Sequence, residues 1–252
     1  MSRGIGIIAP LPVAAVTVSD GTGGSNLLSP ATREVWRAAA VGTSTIDIDF
    51  SAPVFVDTVF LGFTNATAAA TWSVATMTGS GGAGLNVVRP VTTLRVPYST
   101  GARHHAYVRL AVPVTTRYLR ITLNQVGGSA PLQAGVLMAG LTIERPYEYR
   151  AGRVALDLSK RTELVDGGFG ISKAAVVSSY RFTLSGLTDN QVEELWQIVM
   201  TIGESAPVLI VEGHDIAVRF SHLHYGLFQR LEPYEREEPE DTRWGLSIRD
   251  WG

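Results

Sequence analysis

The chain has 252 residues, enough for one large β domain or two domains of ordinary size, and we expect two. Its 21 basic and 23 acidic residues leave a formal net charge of -2, which excludes a general electrostatic attraction to nucleic acid or to an anionic membrane. The sequence contains no cysteine, so disulfide bonds and thiolate chemistry are excluded as well.

The first 25 residues are predicted to form an N-terminal arm. Residues 1 to 18 suit either an extended segment or a first strand, and the DGTGGS stretch that follows is typical of a turn. Pro10 and Pro12 interrupt the apolar stretch and no clear small-residue cleavage site follows it, so we do not expect a secretory signal. No run reaches the roughly 18 apolar residues that a membrane-spanning helix needs.

Alternating apolar and polar residues predict a series of strands in the first half of the chain. In residues 44 to 50, STIDIDF, three apolar residues point to one side while Asp47 and Asp49 point to the other, the pattern of a strand with one wet face. Residues 26 to 39 suit either a short helix or an irregular lead-in. The further predicted strands are residues 54 to 63, 71 to 77, 107 to 111, 117 to 123 and 137 to 143.

A loop between two of these strands carries the side chains that we predict to bind a ligand. Its sequence, YSTGARHH, combines an aromatic ring with basic groups, and exposed loops of a sandwich can use such groups to bind a sugar or a partner surface. The same residues also suit an ordinary solvated loop. The predicted ligand-binding residues are Tyr98, Arg103, His104 and His105.

The order of motifs in this half resembles the discoidin, or coagulation-factor, type of β-sandwich, a jelly-roll of the galactose-binding-like class. The likeness rests on VWRA, STIDIDF, VDTVFLGFTN, TWSV and RYLRITL in that order. It implies an N-terminal jelly-roll sandwich over residues 26 to 146. Extracellular members usually carry a disulfide that ties the ends of the domain together, and its absence here indicates a microbial or phage version.

A change of composition over residues 144 to 152, ERPYEYRAG, predicts the boundary between the two domains, because no sustained alternation crosses it. The second domain, residues 147 to 252, is predicted to be a β-sandwich or barrel-like domain that carries one short helix. Its predicted strands are residues 154 to 158, 180 to 187, 208 to 211, 216 to 220, 223 to 228 and 244 to 248, with a tight turn at 166 to 170 and an acidic loop at 232 to 242.

The predicted helix spans residues 189 to 203. Thr188 or Asp189 can accept a hydrogen bond from an unpaired amide of the first turn, and Gly203 ends the helix. Apolar residues at three- and four-residue spacing give it one buried face, composed of Val192, Leu195, Trp196 and Val199.

The five tryptophans are predicted to be mostly core residues. Trp36, Trp72, Trp196 and Trp244 fall on apolar positions of strands or of the helix. Trp251 is the exception, because chain ends seldom order unaided, and we expect it to pack on a neighbouring subunit.

No constellation of residues predicts catalysis, a bound metal or a cofactor. His214, His222 and His224 lie close together in the sequence. With Asp215 or Asp241 they could in principle hold zinc, but no HExxH or comparable spacing supports a metal site. The chain also lacks a GxSxG elbow, and its glycine-rich loop lacks the lysine of a phosphate-binding loop. We therefore predict a protein that is not an enzyme.

The strand, helix and strand over residues 180 to 211 resemble a segment of bacteriophage tail proteins. The likeness rests on FTLSGLTDNQVEELW, followed by a small-residue turn and APVLIV. In distal-tail and tail-tip proteins this segment belongs to a compact β domain. The resemblance therefore implies a structural protein of the virion that is assembled in the host cytoplasm.

Together the two resemblances imply a component of a phage tail tip. The second domain would form a homo-oligomeric ring, a trimer or a hexamer, and would contact other tail proteins of the tube, hub or fibre. Only 17% of residues are charged, and surface buried in such an assembly would explain this low fraction. The sandwich would project outward, where it could meet a host glycan. Neither nucleic-acid binding nor membrane insertion is expected.

Two alternative functions remain open at this point. The chain could be a carbohydrate-binding adhesin module in which the second domain is only a spacer. It could also be a metal-assisted hydrolase that uses the histidines between residues 214 and 224. Selective binding to a glycan array would identify the first, and stoichiometric metal would identify the second.

Overall fold

A computed structural model describes residues 4–99, 101–148, 150–213, 218–238 and 241–251. Over these residues the chain consists of β-strands with a single α-helix, α1 (Asp189–Ile202), so the predicted all-β class is confirmed. The strands are β1 (Gly4–Ile8), β2 (Ala15–Val18), β3 (Trp36–Arg37), β4 (Thr43–Thr64), β5 (Thr71–Met77), β6 (Asn86–Thr93), β7 (His104–Asn124), β8 (Gln133–Ala134), β9 (Val136–Gly140), β10 (Thr142–Pro146), β11 (Gly152–Asp157), β12 (Lys160–Glu163), β13 (Phe169–Ser172), β14 (Val176–Leu187), β15 (Val208–Glu212), β16 (Leu223–Leu231), β17 (Glu235–Glu238) and β18 (Asp241–Asp250). Short 3-10 turns cover Gly24–Leu28, Ser80–Gly82 and Phe220–His222.

The chain divides into two compact units. The sandwich unit comprises Ile8–Ile143 and Ile216–Leu223, and the helix unit comprises Met1–Ile7, Glu144–Asp215 and His224–Gly252. The change of unit at Glu144 lies close to the predicted boundary. The first 25 residues are not a separate arm, because β1 is hydrogen-bonded into the sheet of the helix unit and β2 pairs with β4 in the sandwich unit.

Two long antiparallel strands, β4 and β7, form the centre of the sandwich unit. The first half of β4 pairs with β2 and its second half pairs with β9, while β7 also pairs with β5. Register shifts between residues 49 and 58 of β4 mark bulges at which the pair can bend. The strands predicted at 44 to 50 and 54 to 63 are therefore one strand, as are those predicted at 107 to 111 and 117 to 123.

The core of the sandwich unit receives side chains from both halves of the long strands. Ile46 and Ile48 from the first half of β4 lie in the same buried cluster as Val59 and Leu61 from the second half, together with Trp72 on β5. Side chains from both halves of β4 can lie in one cluster only if the β4–β7 pair bends and its two halves pack face to face. This is the arrangement of a sandwich.

Asp47 and Asp49 lie on the polar side of β4, as predicted, but each is paired with an arginine of β7. Arg120 donates two hydrogen bonds of 2.6 Å to Asp47. Arg117 donates two of 2.9 and 3.1 Å to Asp49, and this contact lowers the pKa of the Asp49 carboxyl. These bidentate pairs link the two strands and occupy both oxygens of each carboxylate.

The helix unit is built on a curled eight-stranded sheet. Its order is β10-β1-β15-β16-β18-β14-β11, with β17 paired to β18. Arg153 on β11 donates two hydrogen bonds of 2.8 Å to Glu212 on β15, although four strand spacings, about 19 Å in a flat sheet, separate these strands. The sheet must therefore curl strongly, which confirms the barrel-like form predicted for this part of the chain.

Helix α1 begins and ends where the sequence predicts. The Thr188 amide donates to the Gln191 side chain at 3.0 Å, which satisfies one amide at the N-terminus. Gly203 follows the last turn with a φ of 58°, a backbone conformation that favours glycine, and its amide donates to the Val199 carbonyl at 2.7 Å. Within the described part of the chain, no helix is long and apolar enough to cross a membrane.

The tryptophans correct two of the predictions. Trp196 lies at the edge of the apolar face of α1 and is 39% exposed, while Ile202 completes the buried face in its place. Trp251 packs within its own unit, since its ring lies 6.4 Å from that of Tyr225 and its amide donates to the Tyr225 carbonyl. The other three are buried as predicted, namely Trp36, Trp72 and Trp244.

The structure also decides three further segments of the sequence prediction. Residues 26 to 39 contain no α-helix and follow the irregular alternative, ending in the short strand β3. Of the strand predicted at 216 to 220, the first two residues lie outside the described residues and Phe220 begins a 3-10 turn. The acidic loop predicted at 232 to 242 contains β17 and the start of β18.

We expect Gly226→Ala on β16 to destabilise the helix unit by about 1–3 kcal/mol, the usual cost of forcing extra atoms into a packed site. A Cβ atom at Gly226 would clash with the main-chain carbonyl of Arg249 on β18, so the backbone would have to move. Gly245→Ala on β18 is the matched control, because a Cβ atom there meets nothing within 4 Å. Equal urea midpoints for the two variants would contradict this prediction.

Candidate functional site

The predicted ligand-binding residues lie on the connection from β6 to β7 and at the start of β7. Main-chain hydrogen bonds fix this connection. The Val96 amide donates to the His105 carbonyl at 2.8 Å, and the Phe220 amide donates to the Pro97 carbonyl at 3.0 Å. The second bond joins two segments that are distant in sequence, so residues around Phe220 complete the candidate site.

Tyr98 is the most exposed aromatic residue of this region. The residue is 73% exposed, and its φ of 60° places the backbone in the left-handed region that bulky residues rarely adopt. The guanidinium carbon of Arg219 lies 4.7 Å from the ring centroid, a cation–π contact. Backbone strain of this kind is often found at functional sites, where surrounding contacts hold it in place.

Three arginines surround this connection. Arg103 and Arg219 are exposed, and Arg103 donates a hydrogen bond of 3.2 Å to the Phe63 carbonyl. Arg95, on the same connection, acts electrostatically on His104. Among the residues that the structure describes, no carboxylate lies within ion-pair distance of these three guanidinium groups. The candidate site therefore carries positive charge that its described neighbours do not neutralise.

An aromatic stack of the buried His105 with the half-buried Phe63 and Phe220 adjoins these groups, and we call it the floor. The His105 ring is stacked on Phe220 at 4.6 Å and meets the edge of Phe63 at 4.9 Å. The Phe63 amide donates to Nδ1 of His105 at 3.2 Å, which places the imidazole proton on Nε2. Burial, and then the neighbouring charge of His104, lower the pKa of His105 to about 3. The floor is therefore a neutral, fixed surface.

The structure changes the roles of the four predicted residues. Tyr98 and Arg103 are exposed, as a ligand-binding residue must be. His104 and His105 are the first residues of β7 rather than loop residues, and both are buried. The Ser99 hydroxyl lies 2.5 Å from Nδ1 of His104, and burial lowers the pKa of that histidine.

Arg219 was missed by the sequence analysis. No local pattern distinguishes this arginine, because its approach to Tyr98 depends on the tertiary fold. We define the loop cluster as Tyr98, Arg103 and Arg219 above the floor of Phe63, His105 and Phe220. The aromatic ring can stack on an apolar face of a ligand, and each guanidinium group can donate two parallel hydrogen bonds to an anionic group.

A second polar cluster lies in the helix unit, around the buried His224. Its Nε2 is 2.7 Å from Glu212, its Nδ1 is 3.1 Å from Asp250, and the Tyr180 ring is stacked on it at 4.6 Å. Burial raises the pKa of Glu212, but hydrogen bonds from His224 and Arg153 outweigh it and lower that pKa to about 2. Burial alone would lower the pKa of His224, but the hydrogen bonds with Asp250 and Glu212 outweigh burial and raise that pKa.

This cluster is an ion-pair network rather than a metal site, because carboxylates occupy both nitrogens of His224. His222 lies in a 3-10 turn, whereas His224 lies on β16. His214, Asp215 and the Asp241 side chain lie outside the described residues. Among the groups that are described, none combines three or more candidate ligands in an arrangement that could hold a metal ion.

Comparison with known proteins finds only limited likeness. No protein-family profile matches the sequence, and no curated protein does. A chitosan-binding module from a chitosanase/glucanase of Paenibacillus sp. IK-5 is 17% identical, with a TM-score of 0.43, over 52% of this chain and 98% of that chain. The CpGH89CBM32-6 module produced by Clostridium perfringens is 12% identical, with a TM-score of 0.38, over 50% and 90%. A chain in the structure of reduced XRCC1 bound to the DNA polymerase β catalytic domain is 17% identical, with a TM-score of 0.43, over 52% and 97%.

These solved structures match about half of the chain. At TM-scores this low, the likeness carries no conclusion about a ligand or an activity. Nothing in the comparisons indicates a phage distal-tail protein.

We expect His105 in the sandwich unit and His224 in the helix unit to give the two units opposite responses to pH. His105 stays neutral in the folded protein while the unfolded chain binds a proton below its ordinary pKa of 6.5, so the sandwich unit should lose stability as the pH falls from about 6.5 toward about 3. The limiting slope is about 1.4 kcal/mol per pH unit. The stability that His224 contributes is present below about 6.5 and is lost as the pH rises through its raised pKa.

Urea unfolding followed by pulsed hydrogen exchange and mass spectrometry would report each unit separately. His105→Gln should make the acid slope of the sandwich unit shallower, because the contributions of His104 and Asp49 remain, and should not change the helix unit. An acid slope that His105→Gln leaves unchanged would refute this assignment.

Proposed function

We propose that the chain is a carbohydrate-binding adhesin module whose sandwich unit binds an acidic glycan at the loop cluster. The proposal rests on the position of Tyr98, which is exposed and is held in place by its strained backbone and by contact with Arg219. A pyranose ring has an apolar face that can pack on an aromatic side chain. Carboxylate or sulfate groups on the sugar match the guanidinium groups of Arg103 and Arg219.

The environment of the loop cluster favours an anionic ligand over a neutral one. Arginines with carboxylate partners, such as Arg117 and Arg120, have their charge balanced within the fold. Arg103 and Arg219 have no such partner among the described residues. A carboxylate or sulfate of the ligand would act as the missing partner of these arginines, and this ionic contact would weaken as the salt concentration increases.

The floor supports the proposal because it holds the exposed groups in place before a ligand arrives. The stacked rings of His105 and Phe220, and the bond from the Phe220 amide to Pro97, fix the segments that carry Tyr98 and Arg219. A site that is ordered in advance loses less conformational entropy on binding.

We expect the full-length chain to bind selected uronic-acid or sulfated glycans on an array, and Tyr98→Ala to weaken that binding at least tenfold. A tenfold loss corresponds to about 1.4 kcal/mol, a modest value for removing a stacking platform. Arg219→Gln should weaken binding to acidic glycans more than binding to their neutral counterparts. Isothermal titration of the array hits measures both effects.

Phe55→Ala is the matched control for these variants. Phe55 is an aromatic residue of the same unit that is 63% exposed but lies outside the loop cluster, so its removal should leave glycan affinity unchanged. An array without a selective hit, or a glycan affinity that survives Tyr98→Ala, would overturn the proposal.

A structural role in a phage tail tip is a second candidate function, because the β12–β13 hairpin of the helix unit exposes Phe169 and Ile171, which are suited to protein contacts. In that role the chain would be part of the virion, would be assembled in the host cytoplasm and would contact other tail proteins, while the loop cluster met the host glycan. Quantitative mass spectrometry of purified particles should then find the chain in trimeric or hexameric copy number. Absence of the chain from the particles would refute this role.

A further inference from the structure

Hydrogen bonds hold both neighbours of Tyr98 in the chain. On one side, the Phe220 amide donates to the Pro97 carbonyl at 3.0 Å. On the other side, the Ser99 hydroxyl lies 2.5 Å from Nδ1 of His104, the first residue of β7. The left-handed φ of Tyr98 is strained, so it persists only while surrounding contacts hold it. We call these two hydrogen bonds the Tyr98 clamp.

The His104 half of the clamp is anchored in the central strand pair. His104 lies opposite Thr64 in the ladder of β4 and β7, and the Thr64 hydroxyl donates to the His104 carbonyl at 3.1 Å. Both residues are buried. The imidazole ring therefore extends from a fixed backbone, and it passes this order to Ser99 and so to the residue beside it.

The two halves of the clamp differ in their response to pH. The half at Phe220 joins two main-chain groups that do not titrate, whereas the other half contains an imidazole. The charge that acts on His104 is that of Arg95, and it is positive. Among the described residues, no carboxylate lies within ion-pair distance of the His104 ring, and its neighbour His105 is buried and neutral. A protonated His104 would therefore be a buried cation without a counter-charge, which is costly.

We propose that His104 is a positioning residue for Tyr98 and that its protonation releases the Tyr98 clamp. While His104 is neutral, its ring stays buried and holds Ser99, so Tyr98 is presented to the ligand. Protonation moves the ring toward water, the bond to Ser99 opens, and the strained backbone of Tyr98 relaxes. The inference rests on the proposed function, because it makes glycan binding at the loop cluster weaker in acid.

The direction of the effect follows from proton linkage. With the clamp open, His104 binds a proton near its ordinary pKa of 6.5, whereas burial, and then Arg95, lower the pKa of His104 in the closed form. The closed form is therefore favoured above about 6.5 and loses stability relative to the open form as the pH falls below that value. A single proton can change the ratio of open to closed forms by at most about tenfold per pH unit.

The first experiment detects the release without a ligand. In NMR spectra of the full-length chain, the Tyr98 ring should shift the side-chain signals of Arg219, because the guanidinium carbon lies 4.7 Å from the ring centroid. This ring-current shift should fall by at least half between pH 7.5 and pH 4.5, together with the titration of His104. His104→Asn can still accept a hydrogen bond from Ser99 but does not titrate, so it should keep the shift at both pH values.

His222→Asn is the matched control, because His222 is a histidine of the same unit that lies outside the clamp. This variant should lose the Arg219 shift in acid as the wild type does. An Arg219 shift that is the same at both pH values in the wild type overturns the inference. A loss that persists in His104→Asn, or that disappears in His222→Asn, also overturns it.

The second experiment measures glycan affinity by isothermal titration at pH 7.5 and pH 4.5, with a chondroitin sulfate oligosaccharide as the probe, since its sulfate groups keep their charge over this range. Wild-type affinity should fall at least fivefold in acid, and that of His104→Asn less than twofold. Added positive charge acting alone would strengthen the binding of an anion, so an affinity that rises in acid overturns the inference. If selected glycans bind at neither pH, the proposed function fails, and the Arg219 shift still decides the role of His104.

Discussion

The antiparallel pairing of β4 with β7 is the constraint on which the sandwich unit depends. These strands carry the central core residues and bend at their bulges so that both halves pack around one cluster. The same pairing places His104 opposite Thr64, which fixes the start of β7 beneath the connection from β6. The floor of the loop cluster, and with it the strained backbone of Tyr98, is therefore held by the register of a single strand pair.

Charged side chains fall into two kinds in this structure. Some pair with an opposite charge within the fold, and others face solvent where a ligand could bind. Asp47 is paired with Arg120 across β4 and β7, and Glu212 is shared by His224 and Arg153 in the helix unit. Such pairs satisfy groups that would be costly to leave unpaired away from water. At the loop cluster, the guanidinium groups of Arg103 and Arg219 face solvent beside the Tyr98 ring, and no described carboxylate pairs with them. A group that the fold exposes in this way can contribute its charge to a ligand.

Large apolar side chains can also be divided into those that the fold buries and those that it exposes. The core positions of the strands and of α1 bury large aliphatic and aromatic residues, whereas Phe55, Phe169, Ile171 and Met200 are each at least 60% exposed. Contiguous exposed apolar surface is where protein contacts usually form.

The sequence by itself determined the strands at residues 71 to 77 and 208 to 211 and the helix from Asp189, because period and capping depend on neighbouring residues. It could not show that β4 runs through its bulges as one strand, that Trp196 lies at an exposed edge, or that His105 is buried. Half of the predicted site, Tyr98 and Arg103, could be found from exposed residue types on a loop. The approach of Arg219 to Tyr98 was decided only by the tertiary structure. The two residues are far apart in the sequence, and no local pattern around either one indicates the other.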